Sequence, residues 1–270
     1  MAGRGDHYEK YLEALDHWFR QGWNVTAADW RGQGGSGRLG ADETTGHVDS
    51  FDIWLDDLGA LWADWMQEVP APHVLAGHSM GGHLVLRAAA EDKVRPAALV
   101  LSAPMLGFVG PPLPDAVGHA VARGMAKIGV RRRPAWKWSE KPGEMPAARA
   151  NLLTHDAARY EDESWWRAER PELRMGPGSW GWVAAAYASI RALFRRGKLE
   201  GVRIPVIIVG TSSDKLVGWG AIRAAAARIP AAELVAFGNE AHHEILREAD
   251  PVRLRALARI DAFLDRIASR

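Results

Sequence analysis

The sequence predicts an α/β protein with a mostly parallel sheet flanked by helices, and three observations support this fold class. Short β-branched apolar runs alternate with longer amphipathic stretches along most of the 270 residues. The composition, with 47% hydrophobic and 25% charged residues, is that of a globular chain. Five runs have the length and apolar character of buried parallel strands, at residues 23–29, 73–78, 97–102, 204–210 and 233–237.

The predicted helices lie between these strands, as a parallel sheet requires. Apolar periodicity predicts helices over residues 8–21, 48–68, 80–91 and 217–228, and a last helix from Pro251. The alternation stops between about 107 and 200, where the pattern predicts only helices, at 113–128, 145–160 and 179–196. We therefore expect a core made of residues 1–106 and 201–270, with residues 107–200 inserted as a helical cap.

Composition excludes several classes of protein. The net charge of +1, from 34 Lys+Arg and 33 Asp+Glu, gives no overall attraction to nucleic acid. The absence of cysteine excludes disulfides, thiolate metal sites and cysteine nucleophiles. No histidine or acid spacing suggests a metal site, so we expect neither metal nor cofactor. No apolar window has the length of a membrane span and the start does not resemble a secretory signal, which predicts a cytoplasmic location.

A basic stretch stands out within the predicted cap. Residues 123–141 contain seven Lys or Arg side chains against the single acid Glu140, with Trp136 and Trp138 among them. Such a run is equally consistent with a solvated loop. The alternative is peripheral contact with an anionic membrane at its inner face, since clustered cations contribute about 1 kcal/mol each near such a surface and tryptophan favours the interface.

The most specific motif is Gly77-His78-Ser79-Met80-Gly81, a G-x-S-x-G that follows a predicted strand and begins a predicted helix. A serine on so sharp a turn needs very small residues two positions before and after it, which Gly77 and Gly81 supply. Ser79 is therefore the candidate nucleophile. The alternative is an ordinary helix start with a serine cap.

A serine nucleophile needs a histidine base and a carboxylate that orients the histidine. In this architecture both follow the serine in the chain, in the order acid then histidine, on loops at the carboxyl ends of later strands. Asp214 is the first carboxylate after the run 204–210 and is preferred over Glu200, which precedes that run. His242 and His243 both follow the last predicted strand, and the pattern alone does not separate them.

A second glycine motif predicts a different function. Residues 32–37 form a literal G-x-G-x-x-G after the run 23–29, as in dinucleotide-binding domains. The next predicted helix starts about ten residues later, so the loop does not place a pyrophosphate at a helix N-terminus. This alternative is disfavoured.

Several segments together resemble the α/β-hydrolases of the monoacylglycerol lipase and bacterial lysophospholipase branch. The segments are Gly3-Arg4-Gly5-Asp6-His7 with Lys10-Tyr11, Asp29-Trp30-Arg31-Gly32-Gln33-Gly34-Gly35-Ser36, Gly77 to Gly82, and Ala241-His242-His243-Glu244. The resemblance extends over nearly the whole chain. One departure is that Ala2-Gly3 stands where the family has His-Gly.

The resemblance implies a serine esterase without a cofactor that acts on lipid-like acyl esters, such as a lysophospholipid or a monoacylglycerol. It assigns the base to His243, which directly precedes a glutamate, and the oxyanion donors to the backbone N–H groups of Arg4 and Met80. Four cap tryptophans are candidates to line an acyl site, although core packing is the commoner use of such residues: Trp165, Trp166, Trp180 and Trp182. The alternative from another class is a non-catalytic binding module with the same fold.

The resemblance also implies an expectation about the start of the chain. In that family the segment beginning near Gly3 follows the third of eight strands, whereas the sequence predicts five strands. We expect the functional protein to carry roughly 30 to 40 more residues, which is the length of three strands with their turns. Without them, the chain is expected to be poorly soluble and weakly active.

Overall fold

Four parallel strands form the sheet of this protein in the computed structural model, which describes residues 1–109, 115–137 and 147–269. The strands are β1 (Val74–His78), β2 (Ala98–Ser102), β3 (Val206–Thr211) and β4 (Ala232–Phe237). They lie side by side in the order β1-β2-β3-β4, with Val74 opposite Ala98 and Val206 opposite Ala232. Every residue of β2 and β3 is buried, which explains their continuous apolar sequences. The predicted α/β class is confirmed.

Helices cover both faces of this sheet. The α-helices of the described residues are α1 (Leu12–Arg20), α2 (Phe51–Glu68), α3 (Met80–Ala90), α4 (Asp115–Met125), α5 (Ala147–Leu153), α6 (Ala157–Glu169), α7 (Trp180–Leu193), α8 (Trp219–Arg228) and α9 (Asp250–Ala268). The core helices begin and end within a few residues of the predicted bounds. None of the helices in the described ranges is both long enough and apolar enough to span a bilayer.

Alternation along the strands divides the core into two layers. Leu99 and Ile208 belong to a buried cluster with Phe51 of α2 and Leu84 of α3. Their neighbours in sequence, such as Ile207, belong to the cluster on the opposite face, which includes residues of α9. Because successive side chains of a strand point to opposite faces, a run of apolar residues serves both layers at once.

The strand predicted over residues 23–29 is wrong. Residues 23–30 have no regular secondary structure. A cavity of about 150 Å³ separates this segment from β1, and its lining includes Val25, Ala27 and Ala76. The outer edge of β1 instead contacts Met1, whose amino group donates to the carbonyl oxygen of Ala76 (2.8 Å) and whose carbonyl accepts from the N–H of His78 (3.1 Å). Without an adjacent edge, an apolar run does not form a strand.

The single helix predicted over residues 145–160 is also wrong, because α5 and α6 are separate helices. The chain leaves the helix at Thr154, whose hydroxyl donates to the carbonyl oxygen of Arg247 (2.7 Å). Asp156 then begins α6 as its N-cap by accepting from the N–H of Arg159 (2.9 Å). These side chain to backbone bonds compete with helix continuation, and hydrophobic periodicity does not register them.

The helices between β2 and β3 pack against one another and against the core. Helix α7 contacts α4, and it also contacts α2 and α3 of the core. The turn after α4 is a short π-helical segment, Ala126–Val130, that ends the helix at Gly129 with a positive φ of 88°. The division into a core and a cap at residues 107 and 200 stays a prediction.

Candidate active site

A sharp turn between β1 and α3 carries Ser79. The serine has φ 50° and ψ −117°, a conformation that L-residues rarely adopt. A Cβ on Gly77 would lie 2.6 Å from the carbonyl carbon of Gly81, and one on Gly81 would lie 2.4 Å from the carbonyl oxygen of Ala2. The N–H of Ser79 donates to the carbonyl oxygen of Ser102 (2.9 Å) and fixes the turn to β2. The two glycines therefore make this conformation possible, as the motif predicts.

Asp214 and His243 meet at the carboxyl ends of β3 and β4. The Nδ1 atom of His243 lies 2.7 Å from Oδ2 of Asp214, and both side chains are buried. The other carboxylate oxygen of Asp214 accepts from the backbone N–H groups of Leu216 (2.8 Å) and Val217 (3.0 Å). Because one oxygen is held by backbone donors, the second keeps a fixed direction towards the imidazole.

The electrostatics of this pair favour a charged imidazole. Burial disfavours the protonated ring, but the Asp214 carboxylate overcomes it and raises the pKa of His243 above its ordinary value. Burial likewise opposes ionisation of Asp214, and His243 together with two backbone donors lowers the pKa of Asp214. The pair can therefore hold a proton on the histidine, as a general base must after it deprotonates a serine.

His242 occupies different surroundings from His243. Its ring stacks on the ring of His155, with centroids 3.8 Å apart, and the backbone N–H of His242 donates to Oε1 of Glu248 (2.6 Å). Glu200, the carboxylate disfavoured from sequence, pairs with Arg228 at 2.8 Å. The structure thus joins Asp214 to His243 and joins neither His242 nor Glu200 to that pair.

Residues 1–4 lie against the serine turn. A Cβ on Gly3 would lie 3.1 Å from the Cβ of Ser79, so the backbone leading to Arg4 adjoins the serine. The Arg4 side chain is anchored elsewhere, because Nη1 donates to the carbonyl oxygen of Gly176 (2.9 Å). Met80 is the first residue of α3, so its N–H has no acceptor within the helix. The two N–H groups predicted as oxyanion donors therefore belong to the two segments that adjoin Ser79.

The four tryptophans predicted as candidates for an acyl site have different surroundings. Trp182 is buried against Phe51, with ring centroids 6.0 Å apart. Trp165 and Trp166 line an open cavity of about 480 Å³ among charged side chains. Trp180 lines a separate open cavity of about 610 Å³. Trp182 is thus a core residue, and Trp180 lines a different cavity from Trp165 and Trp166.

The glycine-rich loop 32–37 has a structural role that its motif does not indicate. No helix begins after it until Phe51, so a dinucleotide phosphate would lack a helix N-terminus here. Gly34 has a φ of 50°, and a Cβ on it would lie 2.1 Å from Oδ2 of Asp29.

The described part of the chain contains no group of three or more His, Asp or Glu side chains arranged to hold a metal ion.

Residues 1–250 match the family described as serine aminopeptidase, S33. The chain belongs to this family. Among relatives of this S33 chain, lysophospholipase L2 of Escherichia coli strain K12 is 29% identical over 276 residues, which cover 98% of this chain and 78% of that protein. The probable lysophospholipase L2 of Haemophilus influenzae is 26% identical over 272 residues, which cover 98% of this chain and 82% of that protein.

A solved structure supports the same fold. A soluble variant of monoglyceride lipase from Saccharomyces cerevisiae, in complex with a substrate analogue, superposes with a TM-score of 0.76 at 18% identity. The superposition covers 99% of this chain and 86% of that one. The S33 chain therefore belongs to a family of serine hydrolases and has the α/β-hydrolase fold.

A buried ionic cluster that no sequence pattern predicted lies next to His243. The ammonium of Lys10 contacts three carboxylates, those of Asp6, Glu163 and Glu244. The acid and base at positions 6 and 10 have the i,i+4 spacing of a helical ion pair, which is the one local signal. The other two acids are far away in sequence, so no pattern in the chain brings them together.

Proposed function

We propose that this S33 chain hydrolyses a lipid-like carboxylic ester through an acyl-enzyme on Ser79, with His243 as the base and Asp214 as the orienting acid. The observation that carries the proposal is the 2.7 Å contact between His243 and Asp214 at the same end of the sheet as the strained Ser79 turn. Nucleophile, base and acid follow in the chain order that this architecture requires.

The proposed chemistry has two halves. His243 takes the hydroxyl proton as Ser79 attacks the ester carbonyl, and the backbone N–H groups of Met80 and Arg4 donate to the oxyanion. Each such donor is typically worth about 3 kcal/mol in the transition state. Collapse of the intermediate expels the alcohol, which receives the proton from His243. Water then attacks the acyl-enzyme with the same base, which releases the acid and restores Ser79.

A covalent probe tests the nucleophile. We expect a fluorophosphonate to label the wild-type chain at Ser79 and to leave Ser79→Ala unlabelled, with Ser36→Ala as a control that keeps labelling. Failure of the folded wild-type chain to react would favour a non-catalytic binding module. A panel of a lysophospholipid, a monoacylglycerol and a short soluble ester then tests the substrate class, and faster turnover of the short ester than of both lipids would contradict the lipid preference.

We further propose that residues 107–200 act as a cap whose α4 surface contacts an anionic membrane. Val117 and Val121 of α4 are 42% and 52% exposed, and Ile128, in the turn that follows α4, is 72% exposed. The opposite side of α4 is buried, at His119 and Ala122. An amphipathic helix with its apolar side in solvent is typical of an interfacial segment.

The basic residues predicted for this role adjoin the apolar surface. Those that the structure describes are exposed: Arg123, Lys127, Arg131, Arg132, Arg133 and Lys137. Arg131 is partly neutralised by Asp49, at 2.6 Å. Trp136 is 43% exposed. Trp138, Glu140 and Lys141 lie outside the described residues. Cations beside exposed apolar side chains match the headgroups and acyl chains of an anionic bilayer.

Liposome co-sedimentation tests this surface. Binding should rise with the fraction of anionic lipid and fall when Arg131, Arg132 and Arg133 are replaced by Gln. A matched control replaces three exposed arginines outside residues 107–200 by Gln, namely Arg95, Arg255 and Arg259. It should keep binding because it removes the same charge from another part of the surface. Equal loss in both triple variants, or binding that ignores anionic lipid, would favour the solvated loop.

A further inference from the structure

Lys10 is the centre of a buried ionic cluster that the proposed chemistry does not use. Its Nζ atom lies 2.8 Å from Oδ1 of Asp6, 2.9 Å from Oε2 of Glu163 and 2.5 Å from Oε1 of Glu244. The Lys10 side chain has no exposed surface, and the three acids are at most 7% exposed. The ammonium donates hydrogen bonds to Asp6 and Glu244, whereas its contact with Glu163 is an ion pair. We call these four residues the Lys10 cluster.

Two of the three carboxylates belong to segments that form the candidate active site. Oδ2 of Asp6 accepts from the backbone N–H of Gly3 (3.2 Å), and Gly3 precedes the proposed oxyanion donor Arg4. Glu244 directly follows His243. One ammonium group therefore links residues 1–6, which carry an oxyanion donor, to residues 241–246, which carry the base. We call these the oxyanion segment and the histidine segment.

The third carboxylate links the same ammonium to the inserted helices. Glu163 lies in α6 and also contacts Arg167, at 2.6 Å. The backbone of the histidine segment contacts α5 as well, because the N–H of Glu244 donates to the carbonyl oxygen of Leu153 (2.8 Å). The Lys10 cluster thus lies where the oxyanion segment, the histidine segment and the inserted helices meet.

We propose that Lys10 is a positioning residue, whose ammonium fixes the oxyanion segment relative to His243 through Asp6 and Glu244. The proposal rests on the proposed esterase function. A buried carboxylate that loses its cation must find a new partner or move. Loss of Lys10 would therefore let the Gly3 and His243 segments shift independently. Transition-state stabilisation depends on sub-ångström placement of these groups, so turnover should suffer more than binding.

Kinetics on a soluble short ester measure this effect. We expect Lys10→Met to lower kcat at least tenfold with KM changed less than threefold. Lys93→Met is the matched control, since Lys93 is 44% exposed and pairs with Asp56 in α2. It should keep wild-type values. A Lys10→Met enzyme with wild-type kcat would overturn the proposal.

An isosteric variant covers the case in which Lys10→Met does not fold. Asp6→Asn presents one oxygen and one amide, so it cannot accept from both Lys10 and the N–H of Gly3 with the present geometry. It should lower kcat by a similar factor. In the double variant with Lys10→Met, if that chain folds, the two losses should not multiply. Multiplying losses, or an Asp6→Asn enzyme with wild-type kcat, would show that the two residues do not act through one link.

The pH profile separates positioning from general loss of structure. The charged or titratable groups that face His243 are Asp214, Glu244, Asp6 and His78. Lys10→Met removes a positive charge beside Asp6 and Glu244, although Glu244 keeps its ion pair with Arg247 (2.7 Å), so the acid limb of kcat/KM should move to higher pH. Glu244→Gln removes a carboxylate and should move it to lower pH. If the acid limb moved in the same direction in both variants, the role assigned to Lys10 and Glu244 would be contradicted.

Hydrogen exchange tests the link independently of activity. In Lys10→Met, amides in residues 1–6 and 241–246 should exchange faster together, while β2 and β3 keep wild-type protection. Unchanged exchange in both segments would overturn the positioning role even if activity fell. A wild-type chain that hydrolyses no ester would refute the proposed function, and the exchange result would still decide whether Lys10 couples these segments.

Discussion

The imidazole of His243 lies 2.7 Å from the carboxylate of Asp214, although 29 positions separate the two residues in the chain. The parallel pairing of β3 with β4 brings their loops together. Thr211, the last residue of β3, strengthens this connection because its hydroxyl lies 2.7 Å from the carbonyl oxygen of Gly238 and 3.1 Å from that of Ala241. The contact between acid and base therefore depends on a hydrogen-bonded link between the end of β3 and the loop that carries His243, as well as on the sheet.

The two adjacent histidines should differ sharply in their effect on turnover. His243→Ala removes the base beside Asp214 and should lower kcat about 10³-fold or more. His242→Ala removes a ring that stacks on His155 and should keep most of the activity. Steady-state hydrolysis of a soluble ester measures both. If His242→Ala proved the more damaging change, the assignment of the base would be reversed.

Asp214→Asn should be nearly as damaging as loss of the base. An amide is close in shape to the carboxylate, but it carries no charge and can present its NH₂ group to His243. That contact stabilises the wrong imidazole tautomer, and the expected loss in kcat is about 10³- to 10⁴-fold at neutral pH. The comparison needs circular dichroism to show that the variant keeps its fold. Activity near the wild-type level would mean that another acid orients His243.

The sequence predicted the parts of this site that depend on local geometry. Ser79 was identified because the glycines at positions 77 and 81 are a local requirement of the strained turn. Asp214 followed from its position after a strand. The choice of His243 over His242 came from family resemblance. The two histidines are neighbours on one loop, so the sequence pattern around them is the same, and they differ only in what they contact in three dimensions.

Long-range contacts explain what the sequence could not predict. The apolar run at 23–29 has the composition of a strand, but strand formation depends on an adjacent edge, and the edge of β1 contacts Met1 instead. The Lys10 cluster joins acids from positions 6, 163 and 244, which only the folded chain brings together. Hydrophobic periodicity does not indicate which charged side chains are buried together, so this cluster could not be predicted.

Buried histidines should make the protein less stable as the pH falls. Burial lowers the pKa of His83 to about 3 and that of His78 to about 4, so both stay neutral in the folded state at pH 5. In the unfolded chain they become protonated below about pH 6.5. Their contribution to the free energy of unfolding is therefore complete above that pH. Below pH 6.5 the free energy of unfolding falls by about 1.4 kcal/mol per histidine for each pH unit, until the pH reaches the pKa of the folded state.

Urea unfolding at pH 7.5, 5.5 and 4.5 measures this loss. The raised pKa of His243 acts in the opposite direction, stabilising the fold at low pH, but it is one group against two with large shifts. His83→Gln can keep a hydrogen bond to Ser189, whose Oγ lies 2.6 Å from Nε2 of His83. This variant should show a weaker dependence on pH than the wild type. An identical dependence would mean that His83 is not the group that titrates.

Two glycines of the loop 32–37 offer a matched test of crowding against backbone strain. Gly34 and Gly37 both have positive φ, 50° and 75°. An alanine at either position incurs the cost of that conformation, about 1–2 kcal/mol. A methyl group at position 37 meets nothing within 4 Å, whereas one at position 34 would lie 2.1 Å from Oδ2 of Asp29. That oxygen is held in place because it accepts from the N–H of Gly35 (2.9 Å).

Gly34→Ala should therefore destabilise the protein clearly more than Gly37→Ala. Displacing the Asp29 carboxylate breaks its bond to Gly35 and also disturbs the other oxygen, which accepts from the N–H of Tyr8 (3.0 Å). The bond to Gly35 is exposed and the bond to Tyr8 is half-buried, so their loss together typically adds about 1–2 kcal/mol. For a chain of this size each kcal/mol corresponds to about 2–4 °C in Tm. Thermal unfolding followed by circular dichroism should show Gly34→Ala melting several degrees below Gly37→Ala, and equal Tm values would mean that Asp29 moves aside without cost.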